Sequence, residues 1–268
     1  MTSSSSPNTS ILRVQDLKTY FPIRQGLLGK IVGFVRAVDG VSFVLNAGET
    51  LGLVGESGCG KSTLARSLLY LHPPNGGRVW LKDIELGMLS SKELQKQRLR
   101  MQLIFQNPYA SLNPRLTIEE IVSSAACYHG HIPASEAQDF ATKLMEQVGL
   151  RSEHLKRFQH EFSRGQRQRI SIARALALRP EIVLCDEAVS SLDVSIQAQI
   201  LNLLLELQKQ QGLSYLFISH DLAVIQHLAD RVAVMYLGRI VEIANRKELF
   251  QTPAHPYTKA RRRAIPSG

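Results

Sequence analysis

The eight residues GESGCGKS, Gly55 to Ser62, decide how this chain is read. They fill the pattern G-x-x-x-x-G-K-[ST], and both flanks suit it. ETLGLVG in front is a short apolar run ending in glycine, and STLARSLLYL behind it has helical spacing. A loop between strand and helix is built to cradle phosphate. Gly55, Gly58 and Gly60 let the backbone curl until its N–H groups face one anion, and the helix starting near Lys61 adds its positive end. Glu56, Ser57, Cys59 and Thr63 belong to the same cradle. Lys61 is placed to reach the β and γ phosphates, and the Ser62 hydroxyl to coordinate Mg²⁺. The alternative is a glycine-rich surface turn, which would need neither flank.

Working outward, ILRVQDL and VSFVLNA read as strands separated by the Gly-rich loop RQGLLGKIVG, a β-rich opening after ten polar, disordered-looking residues. RVWLKDIEL reads as a hairpin region, and MQLIFQ as a strand stopped by Asn107-Pro108. Between Asn107 and Pro180 the pattern turns helical, in TIEEIVSSAACYHG, ASEAQDFATKLMEQVGL and GQRQRISIARALAL. Apolar strands return in EIVLCDE and SYLFISH, alternating with helices at Ser195 to Gln210 and Leu222 to Leu228, the mark of a covered parallel sheet. Ile196, Ile200, Leu203, Leu204 and Leu207 share one face of the first of these helices, which core packing explains. RVAVMYLGRIVEI closes as a hairpin with Gly238 in its turn.

The loop alone implies nucleotide binding. Hydrolysis is implied by EIVLCDE, which delivers Asp186 and Glu187 to the C-terminal end of a strand, the edge where open α/β sheets place ligands. Asp186 is expected to hold the Mg²⁺ shell and Glu187 to polarise the attacking water. Such a pair can instead cap the next helix. Gln106 ends MQLIFQ, where its amide can meet Mg²⁺ or water, and His220 ends SYLFISH, where an imidazole can bond the γ phosphate and orient the water. Tyr20 and Phe21 precede the loop, and an aromatic ring can stack on adenine or simply fill core.

Composition bounds the rest. With 268 residues and 44% hydrophobic content the chain can bury a full core. Its formal charge of +9 suits an acidic partner, or serves solubility only. Cys59, Cys127 and Cys185 show no metal-ligand spacing and fit a reducing compartment. His129 and His131 in YHGHIP have too few partners nearby for a metal site. The opening MTSSSSPNTS has no apolar core, and no run of 18 apolar residues occurs. The chain is expected to be soluble, or attached to a membrane through another protein.

Taken in order, these segments resemble the ATP-binding subunit of an ABC transporter. GESGCGKST is similar to the Walker A motif, Gln106 to the Q-loop, FSRGQ to the signature motif, IVLCDE to Walker B, SSLD at Ser190 to Asp193 to the D-loop, and His220 to the switch histidine. The resemblance runs from about Ile11 to Thr258. It implies an α/β fold: a P-loop NTPase (RecA-like) core with an antiparallel β subdomain and an inserted α-helical subdomain at about residues 107 to 176. Residues 259 to 268 would form a basic tail. It also implies ATP and Mg²⁺ as cofactors, with Ser62, Gln106 and Asp186 toward the metal. Glu187, His220 and Gln106 would be the catalytic set, Phe21 the first candidate to stack on adenine and Tyr20 the second. In that family the signature turn closes over a partner's nucleotide, so Ser163, the Gly165 N–H, Gln166 and Asp193 would face ATP held by a second subunit. Arg164 stands where the family usually has a glycine, which is tolerable at negative φ.

QNPYASLNPR, VSIQAQILNLL and HPYTKA further resemble the oligopeptide, dipeptide and nickel importer branch. This implies ATP-driven uptake of short peptides, or of a nickel chelate or other small solute. The implied partners are a second ATPase subunit, two membrane permeases and an extracytoplasmic binding protein, at the cytoplasmic face of the cell membrane, with no nucleic acid. A soluble ABC-type ATPase acting on DNA or ribosomes, and a regulatory subunit that hardly hydrolyses, are the rival readings. Two departures stand out: Ala188 replaces a common proline, and YTKARRRAIPSG stops where many relatives continue into a cysteine-containing tail, so no cluster is carried over. Arg261, Arg262 and Arg263 put charge where relatives tend to be apolar, either as a solvated run or toward anionic lipid.

Overall fold

The computed structural model describes residues 10–26 and 29–263. In chain order the strands and helices are β1 (Ser10–Gln25), β2 (Lys30–Asn46), β3 (Thr50–Val54), α1 (Lys61–Leu68), β4 (Gly76–Leu81), β5 (Ile84–Glu85), α2 (Ser91–Leu99), β6 (Met101–Ile104), α3 (Pro108–Ser111), α4 (Ile118–Tyr128), α5 (Ala137–Gln147), α6 (Arg164–Leu176), β7 (Ile182–Asp186), α7 (Val194–Gln211), β8 (Ser214–Ser219), α8 (Leu222–Leu228), β9 (Arg231–Tyr236), β10 (Arg239–Asn245), α9 (Arg246–Gln251) and α10 (Pro256–Arg263). The chain divides into two compact units, one of residues 1–97 with 214–268 and one of residues 98–213.

In the first unit, β1 lies between β2 and β4 in an antiparallel sheet. β3 runs parallel to both β8 and β9, and β9 turns back into β10. All five residues of β3 and all six of β8 are buried, as continuous apolar runs in a parallel sheet must be. Leu51, Leu53, Phe217, Ile218, Val232 and Val234 make this core. Its edges are closed by polar pairs: the Arg231 guanidinium donates to Glu49 at 3.0 Å, and the Thr50 N–H to Asp230 at 2.9 Å. The opening hairpin departs from expectation. Most of RQGLLGKIVG is strand, pairing Gln25 with Lys30, because Ile31, Val32 and Val35 favour the extended backbone that β1 offers to pair with.

In the second unit, β6 and β7 are parallel neighbours, and α3 to α6 lie between them in sequence. The helices are started by side chains placed to do so. Thr117 and Glu120 form a reciprocal capping box on α4, and Ser163 and Gln166 another on α6. Arg174, largely buried, donates to the Ser111 carbonyl, and burial lowers its pKa. On α7 the buried face is Ile200, Leu201, Leu203, Leu204 and Leu207, whereas Ile196 is half-buried near its start.

Three boundaries move from where the sequence put them. β6 stops at Ile104, so Gln106 lies in the following loop: the Asn107 side chain caps α3, and Pro108 at its first position has no N–H for a sheet. His220 is one residue past β8. The basic end is helical through residue 263, so it is not a free run from 259. The polar opening, residues 1–9, and residues 264–268 lie outside the described residues. Among the described residues no helix is long and apolar enough to cross a membrane.

Candidate nucleotide site

The phosphate loop leaves β3, turns over Glu56 to Gly60 and enters α1 at Lys61. Gly60 is the N-cap at φ 109, a conformation L side chains rarely adopt, and a Cβ there would collide with the Ala37 carbonyl. The loop is braced from behind, where the Gly238 N–H donates to the Cys59 carbonyl at 3.0 Å. Lys61 is 4% exposed, and its ammonium donates to the Gly55 and Glu56 carbonyls at 2.9 and 2.7 Å. Ser57, Ser62 and Thr63 are at least partly accessible. A buried cation, a curled backbone and a helix N-terminus together make a cavity wall for phosphate. Cys59 is buried, with its sulfur 3.7 Å from the Lys61 ammonium.

The carboxylates sit in the second unit. Asp186 closes β7 and is 4% exposed. Glu187 follows at φ 49, a left-handed backbone that is uncommon for a residue with a side chain and that marks strain held in place by its surroundings. This turn sends its carboxylate to Gln106, whose amide nitrogen donates to it at 2.8 Å. Residues 81 positions apart are thus joined, through the amide nitrogen of Gln106 and not its amide oxygen. Neither carboxylate is the N-cap of the next helix, α7. That role falls to Asp193, whose side chain accepts from the Ile196 N–H at 3.0 Å at the start of α7. Cys185, wholly buried next to Asp186, is an inert packing residue, its thiol pKa pushed far up by burial.

The turn FSRGQ opens α6. The Ser163 hydroxyl accepts from the Gln166 N–H at 3.3 Å, and the Gln166 side chain accepts from the Ser163 N–H at 3.0 Å. Arg164 is the first helical residue and is exposed. Gly165 is buried, and a Cβ there would stand 2.6 Å from Ile196 Cγ2, so packing against α7 already requires glycine.

Of the two adenine candidates, Tyr20 is occupied. Its hydroxyl donates to Asp39, its ring lies under the Arg36 guanidinium at 5.7 Å, and the bond to Asp39 raises its pKa. The bond from Tyr20, then that from Arg239, hold the Asp39 carboxyl below its usual range. Phe21 is 37% exposed, with the His72 ring edge-on at 5.6 Å. His72, Tyr257 and Arg261 are neighbours of the site that sequence reading did not assign. In the sequence HPYT marks only the branch, and no local pattern tells that its tyrosine meets a loop 201 residues away.

Of the residues expected to face a metal, Ser62 in the first unit carries a hydroxyl, and Gln106 and Asp186 in the second carry an amide oxygen and a carboxylate. These are hard oxygen ligands of the kind Mg²⁺ takes alongside phosphate. Among the described residues no three His, Cys, Asp or Glu side chains gather into a group that could hold a metal ion.

Residues 38–190 match the ABC transporter family model. The chain is 50% identical over 258 residues to the oligopeptide transport ATP-binding protein AppF of Bacillus subtilis, covering 96% of this chain and 78% of that protein. It is 53% identical over 256 residues to the glutathione import ATP-binding protein GsiA of Escherichia coli K12, of which it spans 41%. Among solved structures it is similar to a dimeric ATP-binding cassette in a post-hydrolysis state bound to ADP and Pi, with a TM-score of 0.77 and 26% identity over 87% of this chain and 98% of that one. The fold is therefore that of a P-loop NTPase, and the chain belongs to the ABC transporter family as one of its ATP-binding, ATP-hydrolysing subunits.

Proposed function

We propose that this subunit powers the import of short peptides, and the joining of Glu187 to Gln106 is the observation that carries the catalytic half of that reading. Glu187, turned by its strained backbone, accepts a proton from the attacking water as the water meets the γ phosphate. Gln106 holds that carboxylate in place and carries its amide oxygen toward the metal. Lys61 and the loop N–H groups bear the phosphate charge, and Ser62 and Asp186 would hold Mg²⁺, which would supply further neutralisation of the phosphate charge. His220 orients the γ phosphate. Phe21 stacks on adenine.

A second ATPase subunit supplies the opposite wall, with Ser163, the Gly165 N–H, Gln166 and Asp193 toward the nucleotide. The similar cassette is a dimer bound to ADP and Pi, which supports this pairing. Arg164 leaves the wall workable, because it stands exposed in helical backbone at the first position of α6. The segment 107–176 is the helical subdomain that pushes on two permease subunits, and an extracytoplasmic binding protein delivers the cargo, so the chain works at the cytoplasmic face of the membrane. Both relatives' names specify peptide cargoes, an oligopeptide and glutathione, which favours peptides over a nickel chelate.

The test is Glu187→Gln. Hydrolysis should fall by at least about a hundredfold while ATP still binds and now holds subunits as dimers on gel filtration. Turnover at the normal rate would remove Glu187 from the reaction.

A further inference from the structure

Two residues of α10 touch two different parts of the nucleotide site. The Tyr257 hydroxyl oxygen accepts from the Glu56 N–H in the phosphate loop at 3.3 Å, and its ring lies on Tyr236 with centroids 4.4 Å apart. Arg261 donates to that same oxygen at 3.3 Å, and with its other terminal nitrogen to the His220 carbonyl at 3.0 Å. A hydroxyl oxygen has two lone pairs, so it can take both donors. The guanidinium is planar and permanently charged, which fixes the two contacts at a set separation.

The helix that carries them is itself tied down. Glu242 on β10 accepts from the Ala254 and His255 N–H groups at 2.7 and 3.1 Å, and Arg262 donates to the Phe250 and Gln251 carbonyls at 3.1 and 2.6 Å. His220, by contrast, stands exposed between β8 and α8. Holding its carbonyl fixes the peptide plane that follows it, and with it the direction in which the imidazole leaves the chain.

We propose that Arg261 is a positioning residue for His220, and that α10, through Tyr257, couples the set of that histidine to the phosphate loop. This rests on the reading of His220 as the group that orients the γ phosphate. The coupling crosses 41 positions from His220 to Arg261 and 201 from Glu56 to Tyr257, all within one compact unit.

The full chain is assayed for ATP affinity and for kcat, with thermal unfolding as a check on folding. Arg261→Leu should lower kcat about tenfold, the scale of one charge-assisted hydrogen bond, while ATP affinity stays within about twofold. Arg261→Lys should recover only part of the rate, since a lysine keeps the charge and can donate to the His220 carbonyl but lacks the planar fork that holds both contacts at once. The pair Arg261→Leu with His220→Ala should be no slower than His220→Ala alone, as expected of residues acting through one another. Tyr257→Phe keeps the ring on Tyr236 and removes the acceptor, so it repeats the test by a smaller change should Arg261→Leu not fold. It too should lower kcat with affinity kept. Full kcat in both Arg261→Leu and Tyr257→Phe beside an inactive His220→Ala would overturn the coupling alone. So would a loss from Arg261→Leu that multiplies that of His220→Ala. Wild-type hydrolysis by His220→Ala would overturn the role of His220 and the coupling with it.

Discussion

At the scale of single residues, two neighbours in the signature turn behave oppositely. Arg164 projects from the first turn of α6 into open space, whereas Gly165 is pressed against Ile196 on α7. Gly165→Ala should therefore destabilise the fold by about 1 to 3 kcal/mol through overpacking, read as a lowered midpoint in denaturant at unchanged slope. Arg164→Gly touches no packed neighbour, and ATP turnover of the assembled transporter should stay within about threefold of wild type. A large gain would show that the arginine obstructs the site. Glu187 is the other residue whose conformation is informative. A left-handed backbone on a non-glycine residue has to be held by its surroundings, and the hydrogen bond from Gln106 is the contact that uses it.

Among the elements, helix starts are the best-specified features of the chain. T-I-E-E before the α4 apolar face and S-R-G-Q before α6 both form the reciprocal boxes that their spacing suggests. Thr117→Ala should cost about 1 kcal/mol of stability, measured by urea unfolding, with ATP affinity unchanged because Thr117 lies outside the phosphate-binding residues. Strand lengths are less legible. β1 and β2 run 16 and 17 residues because their pairing with each other, a tertiary event, extends them through a stretch rich in glycine and charge. α10 shows the same limit from the other side. YTKARRR has the composition of a solvated tail, and it is helical because Glu242 accepts the N–H groups just before it and Arg261 and Arg262 find carbonyls of other segments.

Over the whole molecule, the anchoring of α10 carries a pH dependence with a definite sign. Burial raises the Glu242 pKa, but the nearby Thr258 hydroxyl and the bonds from the Ala254 and His255 N–H groups outweigh it, and the carboxyl ends below its usual range. A lowered folded-state pKa gives stability that is complete above the unfolded value of about 4.3 and is lost as pH falls through the folded one. The protection of the Ala254 and His255 amides, taken as exchange relative to the intrinsic rate at the same pH, should therefore fall below about pH 4 and hold steady between about pH 6 and 8. The sequence by itself determined the chemistry offered: a glycine cradle with its lysine, an acidic pair at a strand end, a serine turn opening a helix, and the alternation of apolar strands with helices. Each of these is written in contiguous residues, where periodicity and backbone freedom act locally. Tertiary structure decided which side chains serve one another. Gln106 reaching Glu187, Ile196 demanding Gly165, and Arg261 holding the His220 carbonyl join positions 81, 31 and 41 residues apart, and only the packing of strands and helices brings such partners within bonding distance.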